Sequence, residues 1–330
     1  MADVLVLGGT AWLGREVARA ALAWGDDVTC LARGSAAFVD GTTPVVADRS
    51  GAGAYAAVSG RDWDAVVDVS WQPGLVASAV AALGERAAHW TYVSSCSVYA
   101  DHAAVGADES AALLPALDAD EATIEDYGGA KVRCEQLVVD GVGSRGLLAR
   151  AGLIGGPGDP SDRFGYWVSR FALADDGPVL VPGVPDQPTQ TVDVRDLASW
   201  LATAWSDGVT GAVDAVAPMT PLGEVLDAAA SVAGFTGEQV AASPSWLAAH
   251  DVGPWSGERS LPLWLPAGME AMSGRSGARA RAAGWRSRPL AETLTDTLRW
   301  EEQQGLARPR RAGLTRADEL SLLPSLPSQP

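Results

Sequence analysis

Near its start the chain reads Val4-Leu5-Val6-Leu7, then Gly8-Gly9-Thr10-Ala11-Trp12-Leu13-Gly14, then a helical stripe of Val17, Ala18, Ala21 and Leu22. A short, wholly apolar run suits a buried parallel strand better than a half-exposed one. A glycine turn behind it and an amphipathic helix after that complete a strand–turn–helix unit. That context turns a glycine motif into a phosphate-binding hypothesis. Amides of the turn and of the first helical turn would face a pyrophosphate. Gly8, Thr10, Ala11, Trp12, Leu13 and Gly14 are therefore candidate cofactor contacts. The strict G-x-G-x-x-G spacing is absent, with Ala11 where a third glycine would be expected.

The alternation of apolar strand and helix continues. Strands are expected at residues 28–33, 43–47, 64–70 and 90–95, and later at 147–154, 191–194 and 212–217. This pattern implies an α/β fold built on a doubly wound parallel sheet with right-handed crossovers. Ligands of such sheets bind at the carboxyl ends of the strands, where Gly8, Arg33, Asp48, Ser70 and Ser95 all fall. In a dinucleotide fold the second strand ends at the adenosine ribose; an acid there suits NAD, and an arginine accommodates the extra phosphate of NADP. Arg33 stands where the acid would be. NADP(H) is favoured, with NAD(H) the other option, and Asp48-Arg49 would meet the adenine edge.

Further along stands Tyr127-Gly128-Gly129-Ala130-Lys131, a tyrosine with a lysine four residues later. On a helix the two side chains share a face. A phenol beside a fixed positive charge is a means of proton transfer near neutral pH. A serine-rich strand end, Val93-Ser94-Ser95-Cys96-Ser97-Val98-Tyr99, precedes it.

Composition narrows the partners. The 330 residues carry a net charge of −17, so long anionic polymers are poor partners and nucleic acid is not expected. Three cysteines without C-x-x-C spacing argue for a reducing compartment, and three scattered histidines argue against a metal site. No apolar run approaches membrane length, and no cationic leader opens the chain, so a cytoplasmic protein with no membrane partner is expected.

Taken together, these residues resemble the extended or atypical short-chain dehydrogenase/reductase superfamily, the NAD-dependent epimerase/dehydratase group. Gly8-Gly9-Thr10 through Gly14 resembles its glycine loop, residues 93–99 its serine strand, and Tyr127 with Lys131 its Y-x-x-x-K helix. Asp193-Val194-Arg195-Asp196 resembles the motif where the chain re-enters the cofactor lobe. The resemblance implies a Rossmann-type sheet with a smaller, mostly helical substrate lobe. Residues 1–154 and 189–217 would form the cofactor lobe, 155–188 and 218–305 the substrate lobe, and 306–330 a terminal helix and mobile tail. By position, Ser95 would bond the substrate oxygen, Tyr127 would give or take the proton, and Lys131 would favour the phenolate and hold the nicotinamide ribose. Ala151, Gly152 and Ile154 would approach the carboxamide by backbone. A homodimer accords with the family.

Trp71, Cys96, Ser97, Arg163 and Trp167 are the candidate substrate contacts. Family dehydratases carry an Asp-Glu pair after the catalytic serine or threonine; Cys96-Ser97 occupies that place, so dehydration is disfavoured. Arg33 and the tryptophan-rich second lobe favour an NAD(P)H-dependent reductase of a C=O, C=N or activated C=C bond in a hydrophobic small molecule. The alternatives are a nucleotide-sugar epimerase with tightly bound NAD and a non-catalytic cofactor sensor.

Overall fold

The computed structural model describes residues 1–326. They form two compact units, each with its own core. The first comprises Met1–Gly152, Val194–Ala217 and Arg275–Arg286. The second comprises Leu153–Asp193, Pro218–Gly274 and the chain from Ser287 on.

In the first unit, strands β1 (Asp3–Leu7), β2 (Asp27–Ala32), β3 (Thr43–Val46), β4 (Trp63–Asp68), β5 (Ala87–Ser95) and β6 (Gly146–Ala151) join Gly211–Ala215 in a seven-stranded sheet. Every pairing is parallel, in the order Gly211–Ala215, β6, β5, β4, β1, β2, β3. The order turns back between β1 and β4, which opens a crevice at their carboxyl ends. Helices α1 (Trp12–Ala23), α2 (Pro73–Leu83) and α3 (Tyr127–Val142) supply the crossovers. Helix α1 packs on Val194–Ala204, and α2 packs on α3. Two helical layers explain why the strands read as unbroken apolar runs, since both sheet faces are covered. Val76, Ala79 and Leu83 of α2 and Cys134 and Val138 of α3 share a core with Leu5, Leu7, Val66 and Trp90.

The second unit is largely helical. Arg163–Ala174, Leu222–Ala233, Leu290–Gln304 and Arg316–Leu322 surround a core that includes Phe164, Phe171, Leu226, Trp264 and Leu294. Its strands are short pairs, such as Leu153–Gly155 with Thr191–Asp193.

Several boundaries differ from the sequence expectation. Residues 147–154 are not one strand: β6 ends at Ala151, and Leu153–Gly155 pairs in the second unit. Gly152 donates its amide to Ala215 at the turning point. Residues 189–193 lie in the second unit, so the change of unit falls inside the Asp193-Val194-Arg195-Asp196 motif. Residues 275–286 return to the first unit. The terminal helix expected within residues 306–330 is Arg316–Leu322, with Leu322 buried, and a 3₁₀ turn to Ser325 follows it in the stretch expected to be a mobile tail. Residues 327–330 of that tail lie outside the described residues.

Candidate active site

The glycine turn is shaped by close approach. Gly8 has φ +94°, a conformation that L side chains rarely adopt. A Cβ on Gly14 would lie 2.2 Å from the carbonyl oxygen of Gly8, so only glycine lets α1 start this close to β1. Ala11 stands at the N-cap of α1 and makes no side-chain hydrogen bond there. Trp12, Leu13 and Gly14 form that first turn.

A cavity of about 950 Å³ opens at this point. Its walls include Gly8, Thr10 and Ala11 of the turn, Arg33 after β2, Asp48 and Arg49 after β3, and Ser70 and Trp71 after β4. Arg33 is exposed. The Asp48 carboxylate accepts bonds from the amide and hydroxyl of Ser50, which hold it below the usual carboxylate range, with Arg33 adding a smaller pull. Arg49 is tied inward: its Nη1 and Nη2 donate to both oxygens of the buried Asp68, at 2.8 and 2.7 Å. A carboxylate thus already neutralises it.

The catalytic candidates lie along β5 and α3. Lys131 is buried and donates from Nζ to the carbonyl oxygens of Val93 at 2.6 Å and Ser70 at 3.2 Å. Its Nζ is 5.9 Å from the centroid of the Tyr127 ring, a turn away on the same helix. Tyr127 is half-buried, its ring 5.6 Å from that of Trp71. The two strand-end serines differ sharply. Ser94 is buried and donates to Glu135 at 2.6 Å, whereas Ser95 is half-buried and its Oγ lies 3.1 Å from Ser97 Oγ. Alternation along the strand separates the two roles. A Cβ on Gly128 would lie 2.5 Å from the carbonyl oxygen of Ser97, so glycine after Tyr127 is what lets α3 close on this turn.

The remaining candidates divide. Ser97 stays with Ser95, and Ala151 stands opposite Ser95 in the β5–β6 register. Cys96 is buried with its Sγ 3.4 Å from the carbonyl oxygen of Arg150, and burial pushes its thiol pKa up, so it is neither exposed nor activated. In the second unit, Ile154 sits in the Leu153–Gly155 strand. Arg163 Nε donates to Ser161, and its guanidinium lies over Trp255 at 4.6 Å. Trp167 is 1% exposed and donates to the carbonyl of Pro262 at 2.8 Å; it is a core residue of that unit and presents no face to a ligand.

Two features escaped the sequence reading. Glu135 binds Arg150 through Nε at 2.9 Å and Nη2 at 2.8 Å; Arg150 reaches Tyr99, which bonds Asp214, which in turn binds Arg275. Glu135 is legible as the next same-face residue after Lys131, but nothing local announces Arg275. A strap at residues 120–122 also reaches the cavity. Gln72 exchanges two hydrogen bonds with the backbone of Ala122, and Gly74 donates to the carbonyl of Asp120. Among the described residues, no cluster of three or more His, Cys, Asp or Glu is placed to hold a metal ion, and no helix is long and apolar enough to cross a membrane.

No protein-family model and no curated protein sequence matches the chain. Solved structures do. A candidate epimerase from Burkholderia cenocepacia J2315 aligns over 90% of this chain and 97% of its own, at 21% identity and a TM-score of 0.68. The Bordetella bronchiseptica enzyme WbmH, solved with NAD+, aligns over 92% and 100%, at 16% identity and 0.68. UDP-N-acetylglucosamine 4-epimerase from Bacillus cereus aligns over 90% and 98%, at 15% identity and 0.65. The chain therefore shares the Rossmann-type fold of these proteins.

Proposed function

We propose that the chain is a nicotinamide-dinucleotide-dependent hydride-transfer enzyme of the extended short-chain dehydrogenase/reductase type. The observation that supports this reading is that Lys131 donates to the carbonyl of Ser70 and Tyr127 packs against Trp71, both in the wall of the glycine-turn cavity, with Ser95 at the end of the neighbouring strand β5. The residues fit a dinucleotide: Ala11 at the N-cap of α1 makes no side-chain hydrogen bond, Gly14 permits close approach, and the cavity has room for a nucleotide-sized ligand. A bound nicotinamide would supply the hydride chemistry. The Tyr127 phenol gives the proton to, or takes it from, the substrate oxygen, and the Ser95 hydroxyl donates a hydrogen bond to that oxygen. Lys131, anchored on two carbonyls, holds its charge near the phenol and would offer its remaining N–H to the ribose of a bound dinucleotide.

Of the finer readings, epimerisation of a nucleotide sugar with retained NAD comes first, because the neighbours in fold include such epimerases and NAD complexes. Reduction of a hydrophobic carbonyl or imine with NADPH is the second. Arg33 favours it, as do the second unit's Arg170, Arg259, Arg288, Arg308 and Arg310, each paired with a carboxylate of that unit rather than offered to a diphosphate. Dinucleotide released on denaturing the purified protein separates the two. Retained NAD supports the epimerase; an empty protein that binds NADPH at least tenfold tighter than NADH supports the reductase. Failure to bind any nicotinamide dinucleotide overturns both.

A further inference from the structure

Of the 24 Lys and Arg residues in the chain, Lys131 is the single lysine. It is buried, with Nζ bonded to the carbonyl oxygens of Val93 and Ser70. The same Nζ lies over the ring of Tyr92, 4.8 Å from its centroid, closer than the 5.9 Å to the ring of Tyr127. Tyr92 is fully buried on β5, next to Val93, with its hydroxyl beside the Cys134 thiol. In the sheet it stands in register with Asp68, yet both oxygens of that carboxylate are taken by Arg49. The neighbouring acid is thus committed to an arginine, and the ammonium meets two carbonyls and a ring face instead.

We infer that Tyr92 is a positioning residue whose ring face seats the Lys131 ammonium, an inference that rests on the hydride-transfer reading above. Two carbonyls satisfy two of the three N–H donors of an ammonium. A charge taken out of water still needs electrostatic compensation, and a ring quadrupole supplies it where an apolar side chain of similar size would not. The contact uses the ring and not the oxygen, which separates Tyr92 from Tyr127, whose oxygen is the group that exchanges the proton. Without the ring face, the ammonium loses one of its three supports and is held less firmly beside the phenol and the ribose of a bound dinucleotide.

The single lysine makes the contact directly measurable, because isotopic labelling of the lysine ε-carbon gives an NMR signal from Lys131 alone. Two variants of the full chain are compared with the parent after circular dichroism has verified folding. Tyr92→Phe keeps the ring; Tyr92→Met fills the space with an unbranched apolar chain and no ring. In the parent and in Tyr92→Phe the ring current should hold the ε-protons upfield of their position in free lysine. In Tyr92→Met they should move back toward that position. Affinity for NADH and NADPH should be parental in Tyr92→Phe and about tenfold weaker in Tyr92→Met. A folded Tyr92→Met protein with the parent's lysine signal overturns the contact, and one with parental dinucleotide affinity overturns the positioning role. Loss of either in Tyr92→Phe overturns the assignment to the ring. A parent that neither retains nor binds a nicotinamide dinucleotide brings down the proposed function and the positioning role with it, whereas the lysine signal still decides the contact itself.

Discussion

Lys131 Nζ lies 2.6 Å from the carbonyl oxygen of Val93, a residue of the strand that ends at Ser95. One helical turn later Glu135 holds Ser94 of the same strand. Successive turns of α3 are therefore fastened to successive residues of β5, the strand that ends at Ser95. A buried ammonium bonded to carbonyls is satisfied without a counter-carboxylate. Its charge is not cancelled locally and stays available to the phenol.

Removing the phenol hydroxyl tests the acid–base assignment. Tyr127→Phe keeps the ring against Trp71 and is expected to leave thermal unfolding nearly unchanged. Turnover should fall by about 10²- to 10⁴-fold with cofactor affinity within a few fold of the parent. Steady-state kinetics with dinucleotide titration reads both; activity within threefold of the parent would remove Tyr127 from the chemistry.

The Glu135–Arg150 pair makes a separable stability prediction. Glu135→Ala leaves a buried guanidinium without its carboxylate and Ser94 without its acceptor, and should lower unfolding stability by about 3–5 kcal/mol. The double variant Glu135→Leu/Arg150→Met removes both charges and should recover most of that loss. Chemical denaturation of the parent and the two variants measures the loss and its recovery. If the double variant is as unstable as Glu135→Ala, unpaired charge is not the cause.

How much of this was legible in the sequence depends on the range of the interaction. The β1–turn–α1 unit and the Tyr127–Lys131 face follow from local periodicity and appear where expected, whereas several strand ends fall short of it. Ser95 is preferred to Ser94 by alternation together with its four-residue distance before Tyr99, which matches the resembled family. By contrast, Trp167 gave no sign of its inward direction, because a tryptophan on an amphipathic helix reads alike for a core and for a pocket. The ion pair of Arg49 with Asp68 was not legible, because Asp68 comes from another strand. The return of residues 275–286 to the first unit depends on Arg275 meeting Asp214, a contact between segments far apart in the chain.

Packing behind Tyr127 predicts the effect of a single methyl group. Gly128→Ala would put a Cβ about 2.5 Å from a backbone oxygen of the Cys96–Val98 turn, which has no flexible end to move aside. The helix start must shift, so Gly128→Ala should reduce activity far more than helix propensity alone would suggest, despite alanine's advantage of about 1 kcal/mol in a helix. Thermal unfolding should fall too. A variant at least as stable and as active as the parent would mean that α3 does not need this approach.

A last prediction concerns pH and lies at the other end of β5. His89 is buried, with Nε2 2.9 Å from the carbonyl oxygen of Val209 and Nδ1 3.3 Å from the Thr91 hydroxyl. Burial lowers its pKa, against a smaller opposing effect of the Val209 bond. The folded state thus holds His89 neutral, while the unfolded chain takes up a proton near the ordinary histidine value of about 6.5. Because the folded pKa is the lower one, this contribution to stability is complete above about 6.5 and is lost as pH falls from there toward the folded value. His89→Gln removes the titrating group and can still donate to Val209. Its stability at pH 7.5 should be somewhat lower than the parent's, and the parent's decline between pH 7 and 5 should be visibly shallower in the variant. Denaturant midpoints across that range measure the difference, and two parallel curves would show that His89 is already free to protonate in the folded protein.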